Sequence, residues 1–361
     1  MKIAYILPSL ANRGPIIFTK YLLEELEKKN VQTEIFYFNK TKSNLLDLNV
    51  KCTRISKFKK FDFSNFDIVH TTMALPDLYA SIFVPKNKWV CSMHNYLVED
   101  VKMSHSKLKT SFIIWVWKNA IRKCKDIIVS SNQMRSYYKN LLKTKKIRYS
   151  VISYGIYEKQ YSKVEKNDLP KILEFKSKGY KIIGSVGLLI PRKGFSQLLP
   201  LVEENKNLAL IIIGEGVDRK NLEKEIYQRN IEDRVLIPGF RNNSFNYYQY
   251  FDIYAHVSYS EGFGLAMLEA MSKGLPIICS NLEIYKDYFT EKDVSFFEPG
   301  NKESLFSAYQ KINKNLEFYK KASFKLFRSL FDVRIMAEKH IKLYNDIIDK
   351  LSNITRDLQE K

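Results

Sequence analysis

This 361-residue chain predicts an α/β fold made of two consecutive halves, each a doubly wound, Rossmann-like parallel sheet. Three observations carry that prediction. Short apolar runs alternate with helical periodicity from residue 2 to 153, and again from 181 to 313. A charged, aperiodic stretch around Pro170 separates the two series. The segment from Ser260 to Pro276, with its apolar flanks, reads as strand, glycine turn, helix and strand, which is one unit of a parallel sheet.

Residues 2–7 form the first strand, followed by a loop at 8–14 and a helix at 15–29 with Pro15 at its first turn. Residues 32–38 are a strand and 39–65 an irregular polar stretch. Strands at 67–70, 89–93, 126–130 and 148–153 complete the first half, with helices at 107–123 and 132–142. Residues 161–171 read as the linker. The second half has strands at 182–187, 208–213, 234–237, 252–257, 276–280 and 294–296. Its helices fall near 195–204, 218–229, 265–273 and 302–313, and a long helix occupies 332–351. Domains are expected at 1–165 and 172–331.

Apolar content of 45% supports two real cores and excludes a disordered chain. The start contains Pro8 and lacks a small-x-small cleavage site, so it reads as a strand and not as a signal peptide. No apolar run reaches the roughly 18 residues of a membrane span. Cys52, Cys91, Cys124 and Cys279 lack metal spacing and read as reduced thiols, which places the chain in the cytoplasm. The net charge of +20 implies an anionic partner or a lysine-rich composition. Residues 106–125 form a basic helix rich in aromatics, readable as a surface for an anionic membrane or as a core helix with a solvated lysine face.

Gly262 and Gly264 open the helix of the Ser260–Pro276 stretch and let a ligand approach the main chain. Glu261 precedes that helix and Glu269 lies within it. A carboxylate accepts from two vicinal hydroxyls at once, so both are suited to diols. Eight helical residues rise about 12 Å, comparable to the reach from a ribose to the sugar a nucleotide carries. Capping and ordinary helix-face roles are the plainer alternatives.

The string EGFGLAMLEAMSKGLP resembles the signature of the retaining glycosyltransferase family 4, the group 1 glycosyltransferases of GT-B fold. The resemblance runs strongly from about residue 182 to 300 and weakly before. It implies two domains facing a cleft, with the C-terminal helix at 332–352 crossing back onto the first. It implies that Glu261 holds the donor sugar and Glu269 the ribose, with the donor also lying along Gly262, Phe263, Gly264 and Leu265. Residues 184–195 resemble the family's G-R-L-x-x-x-K-G-F, so Lys193 meets the diphosphate leaving group. The family's Arg is Leu188 here, and Arg192 is the substitute cation. Gly214 and Gly216 resemble the turn beside the nucleotide, and Gly239 with Phe240 the turn against the base. Gly14 stands in the loop that closes over donor and acceptor, and His94 ends a strand where it contacts sugar or acceptor. Tyr154 replaces the family's Asn after the last strand of the first half.

No Asp-x-Asp motif and no His/Cys cluster appears, so neither metal nor cofactor is expected. The expected function is transfer of a sugar from a nucleotide-diphosphate donor, UDP before GDP, to a glycan or lipid-linked glycan of surface polysaccharide or lipopolysaccharide. The expected location is cytoplasmic, at the inner face of the membrane. The rivals are a GT-B-like sugar-nucleotide epimerase and a basic nucleic-acid-binding protein. The second lacks any base-reading motif.

Overall fold

A computed structural model describes residues 1–11, 14–40, 48–98, 101 and 107–359, with backbone alone at 107–108 and 354–359. The chain divides into two compact units. The first holds Met1–Ile156 together with the chain from Phe331 onward, and the second is Tyr157–Leu330.

Among the described residues the first unit has seven parallel strands. They are β1 (Lys2–Ser9), β2 (Gln32–Asn39), β3 (Cys52–Arg54), β4 (Ile68–Thr72), β5 (Trp89–Met93), β6 (Asp126–Val129) and β7 (Arg148–Val151). Their order is β3-β2-β1-β4-β5-β6-β7, which reverses between β1 and β4. β4, β5 and β6 are buried at every position, as strands covered on both faces must be.

A polar chain runs through this core. Tyr344, on the C-terminal helix Val333–Gln359, places its hydroxyl 2.6 Å from both Tyr5 Oη and His70 Nδ1. His70 Nε2 continues to Ser92 Oγ at 2.7 Å. Burial holds His70 well below the usual imidazole range, so the ring stays neutral. Asp77, buried on the helix Ala74–Phe83, accepts from Thr71 Oγ1 (2.6 Å), Trp117 Nε1 (2.9 Å) and Cys91 Sγ (3.1 Å). That fixes the inner edge of the helix Lys107–Ile121 and leaves Phe112 and Trp115 on its exposed side.

The second unit has six parallel strands among the described residues. They are β8 (Lys181–Val186), β9 (Leu208–Ile213), β10 (Val235–Gly239), β11 (Ile253–His256), β12 (Ile277–Ser280) and β13 (Ser295–Phe297). Their order is β10-β9-β8-β11-β12-β13, reversing between β8 and β11. In open α/β sheets the crevice beyond such a reversal is where ligands bind.

Several elements differ from the sequence reading. The residues read as a linker end inside the helix Leu169–Ser177, because Pro170 sits in its first turn, where no N–H is needed. The preceding coil is tied to the second unit: Asn246 Oδ1 accepts from Ser162 N at 3.0 Å, and its amide donates to Lys163 O at 3.0 Å. The helix Ala74–Phe83 stands where no element was assigned, with Pro76 again in its first turn. The polar stretch 39–65 contributes the short edge strand β3, and Leu316–Leu326 is a further helix.

Candidate active site

The β8/β11 reversal carries a charged cluster around the buried Glu261. After β8 the chain makes a tight loop that lies directly on the turn after β9. Gly187 N donates to Ile213 O (3.0 Å), Leu189 N to Glu215 O (2.9 Å) and Asp218 N to Leu189 O (2.9 Å). A Cβ on Gly214 would stand 1.8 Å from Gly187 O, and one on Gly216 2.1 Å from Leu189 O. Both glycines are therefore required by this backbone-on-backbone contact, whatever else they touch.

A 3-10 turn, Pro191–Lys193, follows and ends at Gly194 with φ 65°. A Cβ on Gly194 would meet Val257 O at 2.3 Å, so glycine lets this turn close onto the end of β11. Tyr259 N donates to Arg192 O (2.9 Å), Gln197 Nε2 donates to Val257 O (2.7 Å), and Arg192 Nη1 donates to Ser260 O. The two loops are stitched together, and Glu261 is held between them.

Glu261 is buried. Its Oε1 accepts from Lys193 Nζ and, at 2.8 Å, from Ser258 Oγ. Arg192 Nη1 lies 3.6 Å from Oε2, and His256 Nε2 lies 3.7 Å from Oε1. Burial alone would raise the Glu261 pKa, but Lys193, His256 and Arg192 outweigh it and bring it down to about 2. The carboxylate is thus ionised across the physiological range. His256 is pushed down as well, to about 4, by burial and by Lys193 and Arg192, against the pull of Glu261. It is a neutral ring at neutral pH.

Glu269 lies on the short helix Leu265–Met271, which stops two residues before the expected end. Its partners are different ones: Lys159 Nζ at 3.3 Å from Oε1, and Tyr248 Oη at 3.2 Å from Oε2. Gly239 has φ +93°, and its carbonyl accepts from Gly214 N at 3.0 Å. Phe240 beside it is exposed, as are Leu188 and Val217 at the ends of β8 and β9. Arg241 forks onto Asp168 through Nε (2.7 Å) and Nη2 (2.9 Å), which fixes the turn carrying Phe240. No three His, Cys, Asp or Glu side chains converge on a metal position among the described residues.

Residues 167–324, which contain every one of these groups except Lys159, match the family model described as glycosyl transferases group 1. The match lies wholly within the second unit. The chain is 27% identical over 354 residues to the O-antigen biosynthesis glycosyltransferase WclY of Escherichia coli, covering 96% of this chain and 99% of that one. It is 30% identical over 240 residues to the UDP-Gal:alpha-D-GlcNAc-diphosphoundecaprenol alpha-1,3-galactosyltransferase of Escherichia coli, 63% of this chain and 61% of that one. Anabaena HepE, solved in complex with UDP-glucose, superposes with a TM-score of 0.76 at 17% identity, covering 98% of this chain and 100% of that chain. The fold is GT-B.

The residues singled out from the sequence fall into four groups. Glu261, Lys193 and Arg192 form one cluster. Gly214, Gly216, Gly239 and Phe240 line the neighbouring turns, while Gly262, Phe263, Gly264, Leu265 and Glu269 follow Glu261. The Phe263 ring is core, packed edge-on against Tyr285 and Tyr288, and its carbonyl accepts from Tyr285 Oη at 2.9 Å.

The fourth group, His94 and Gly14, belongs to the other unit. Gly14 opens the helix Gly14–Lys28 and is exposed. His94 is buried, with Nδ1 2.5 Å from Tyr154 Oη and Nε2 unpartnered among the described residues. Burial and His340 depress its pKa to about 3, so it is neutral.

Sequence reasoning missed His256, Tyr285, Lys159 and Tyr248. His256 had one visible signal, a polar residue ending an otherwise apolar strand. Lys159 had none, since a lysine in a charged coil looks like any other.

Proposed function

We propose that this protein is a group 1 glycosyltransferase that moves a hexosyl group, with retention, from a UDP-sugar to a lipid-linked glycan in O-antigen or lipopolysaccharide synthesis. The observation that carries the reading is the convergence of Lys193 and Arg192 on the ionised Glu261 at the sheet reversal. A diphosphate leaving group needs fixed positive charge close to a group that orients the sugar, and these three supply both. Arg192 takes the place of the cation missing at Leu188.

The donor then lies with its diphosphate on Lys193 and Arg192, its ribose on Glu269 and its base against Gly239 and Phe240. Gly214, Gly216, Gly262, Gly264 and Leu265 frame it with backbone. Glu261 accepts from hydroxyls of the transferred sugar. His94 and Gly14 serve the sugar and acceptor. The acceptor oxygen bonds to the anomeric carbon on the face the phosphate leaves. The carbon–oxygen bond to the diphosphate breaks with its electron pair, and the acceptor proton passes to the departing phosphate oxygen. The UDP donor and the lipid-linked acceptor are supported by the names of the galactosyltransferase and HepE relatives.

Donor screening by nucleotide release tests the reading. UDP release from a UDP-hexose, stimulated by a lipid-linked glycan and yielding a longer glycan, is expected. Turnover of GDP-sugars alone, or conversion of the sugar nucleotide to an isomer without transfer, would overturn it.

The acceptor's lipid implies work at a membrane surface, although no helix among the described residues is long and apolar enough to cross one. Phe112 and Trp115 stack with centroids 6.4 Å apart on the exposed face of the helix Lys107–Ile121. Lys109, Arg122, Lys123 and Lys125 are exposed on and beyond it, and Ile82 is exposed on the adjoining helix. Aromatic rings among lysines suit the boundary of an anionic bilayer. Flotation with phosphatidylglycerol vesicles should be strong at low salt, weak at high salt, and lost in Phe112→Ser/Trp115→Ser. Equal flotation of that variant, or equal binding to phosphatidylcholine, refutes this docking face.

A further inference from the structure

We infer that His256, held by Tyr285, is a positioning residue for Glu261 and for the turn Gly262–Gly264 beneath the donor sugar, an inference that rests on the donor-site reading above. His256 is the last residue of β11 and is buried. Its Nε2 lies 2.7 Å from Tyr285 Oη, and that hydroxyl donates to Phe263 O at 2.9 Å. A hydroxyl carries one proton, so Tyr285 must accept from His256. Nε2 therefore bears the hydrogen and Nδ1 the lone pair. The ring lies directly under Gly264, whose φ is +98°. A Cβ there would stand 2.8 Å from His256 Cε1 and 3.0 Å from Nε2. The imidazole is the floor on which the glycine turn rests, and the tyrosine pins that turn by its carbonyl.

The same nitrogen, its hydrogen committed to Tyr285, also lies 3.7 Å from Glu261 Oε1. That contact is too long for a hydrogen bond but close enough to act on a buried charge. Its value appears when the donor binds. Lys193 and Arg192 are then drawn to the diphosphate, and Glu261 gives up part of their attraction. Ser258 Oγ and the His256 N–H do not move with the donor, so they keep the carboxylate oriented on the sugar. A permanently charged side chain at 256 would compete with the two cations for Glu261. A neutral imidazole supplies a dipole without adding that charge, and burial keeps it neutral down to about pH 4.

The test uses the full chain. His256→Phe keeps the ring shape and removes the N–H, while His256→Gln keeps an N–H donor. The expected result is a fall in kcat of about tenfold or more for His256→Phe, with the Kd for UDP changed less than about twofold. His256→Gln should recover part of the loss. In a Glu261→Gln background the phenylalanine should cost clearly less, because one of the two groups it positions is gone.

Equal losses in both backgrounds, or UDP affinity falling with kcat, would mean a merely structural histidine and would overturn the inference. A substrate-independent arm separates it from the donor reading: ¹⁵N spectra should show His256 as the neutral Nε2–H tautomer at pH 7, perturbed in Tyr285→Phe. An Nδ1–H tautomer or a protonated ring overturns the positioning role even if a UDP-sugar is the donor. Failure of every UDP-sugar with that tautomer intact sinks the donor reading alone.

Discussion

Lys193→Ala lowers turnover by about 10²–10³-fold, the loss of roughly 2.7–4 kcal/mol that follows removal of one group aimed at developing negative charge. The ammonium is pre-positioned: a 3-10 turn closed by Gly194 sets the backbone, and the ion pair with Glu261 sets the side chain. It therefore meets the leaving phosphate without reorganising at the moment of reaction.

The substitution also leaves Glu261 buried with Arg192, Ser258 and the neutral His256 but without its closest cation, so its pKa should rise from about 2 and the protein should lose some stability at neutral pH. The two effects are separable. Lys193→Ala/Glu261→Gln removes the uncompensated charge, and its melting temperature should recover toward wild type while turnover stays low. Turnover no lower than that of Glu261→Gln alone would show that Lys193 acts only by holding Glu261.

Glu269→Ala should raise the Kd for UDP by tenfold or more, since hydrogen bonds to a charged group contribute about 1.5–3 kcal/mol each and the ribose diol would lose two. Glu261→Ala should behave oppositely. UDP carries no transferred sugar, so nothing on it needs Glu261. Without that carboxylate, Lys193 and Arg192 have lost their buried counter-charge and are free for the diphosphate. UDP should bind this variant at least as tightly as wild type, while kcat falls, because sugar orientation in the transition state is lost. Calorimetric titration of UDP into both variants decides it. Equal weakening in the two would falsify the division of labour between the carboxylates.

The same comparison shows where reading residues in order stops being informative. Glu261 and Glu269 were legible because their spacing and glycine-rich turn are local, eight positions apart on one unbroken segment. Lys193 was legible from its own loop. That Lys193 and Arg192 close on Glu261, rather than standing free over an empty crevice, was not: the Lys193–Glu261 partners are 68 positions apart, and loops after two adjacent strands bring them together. Gly214 and Gly216 were read as a nucleotide turn from their spacing. The fold adds a demand of its own on both, since the Gly187–Leu189 backbone leaves no room for a Cβ at either.

By itself, the sequence determined the two α/β halves, the position of nearly every strand, the glycine-opened turn and the pair of carboxylates. Hydrophobic period, proline and glycine placement act over a few residues, and they are written in the order of the chain. Only the tertiary structure decided the strand order that puts the end of β8 beside the end of β11. It alone decided that His256 and Tyr285 lie under the Gly262–Gly264 turn, and that Lys159 and Tyr248 meet Glu269. Those contacts depend on which strands pair and on which loops then share a crevice. A lysine in a coil or a histidine ending a strand carries no mark of its partner until the sheet has formed.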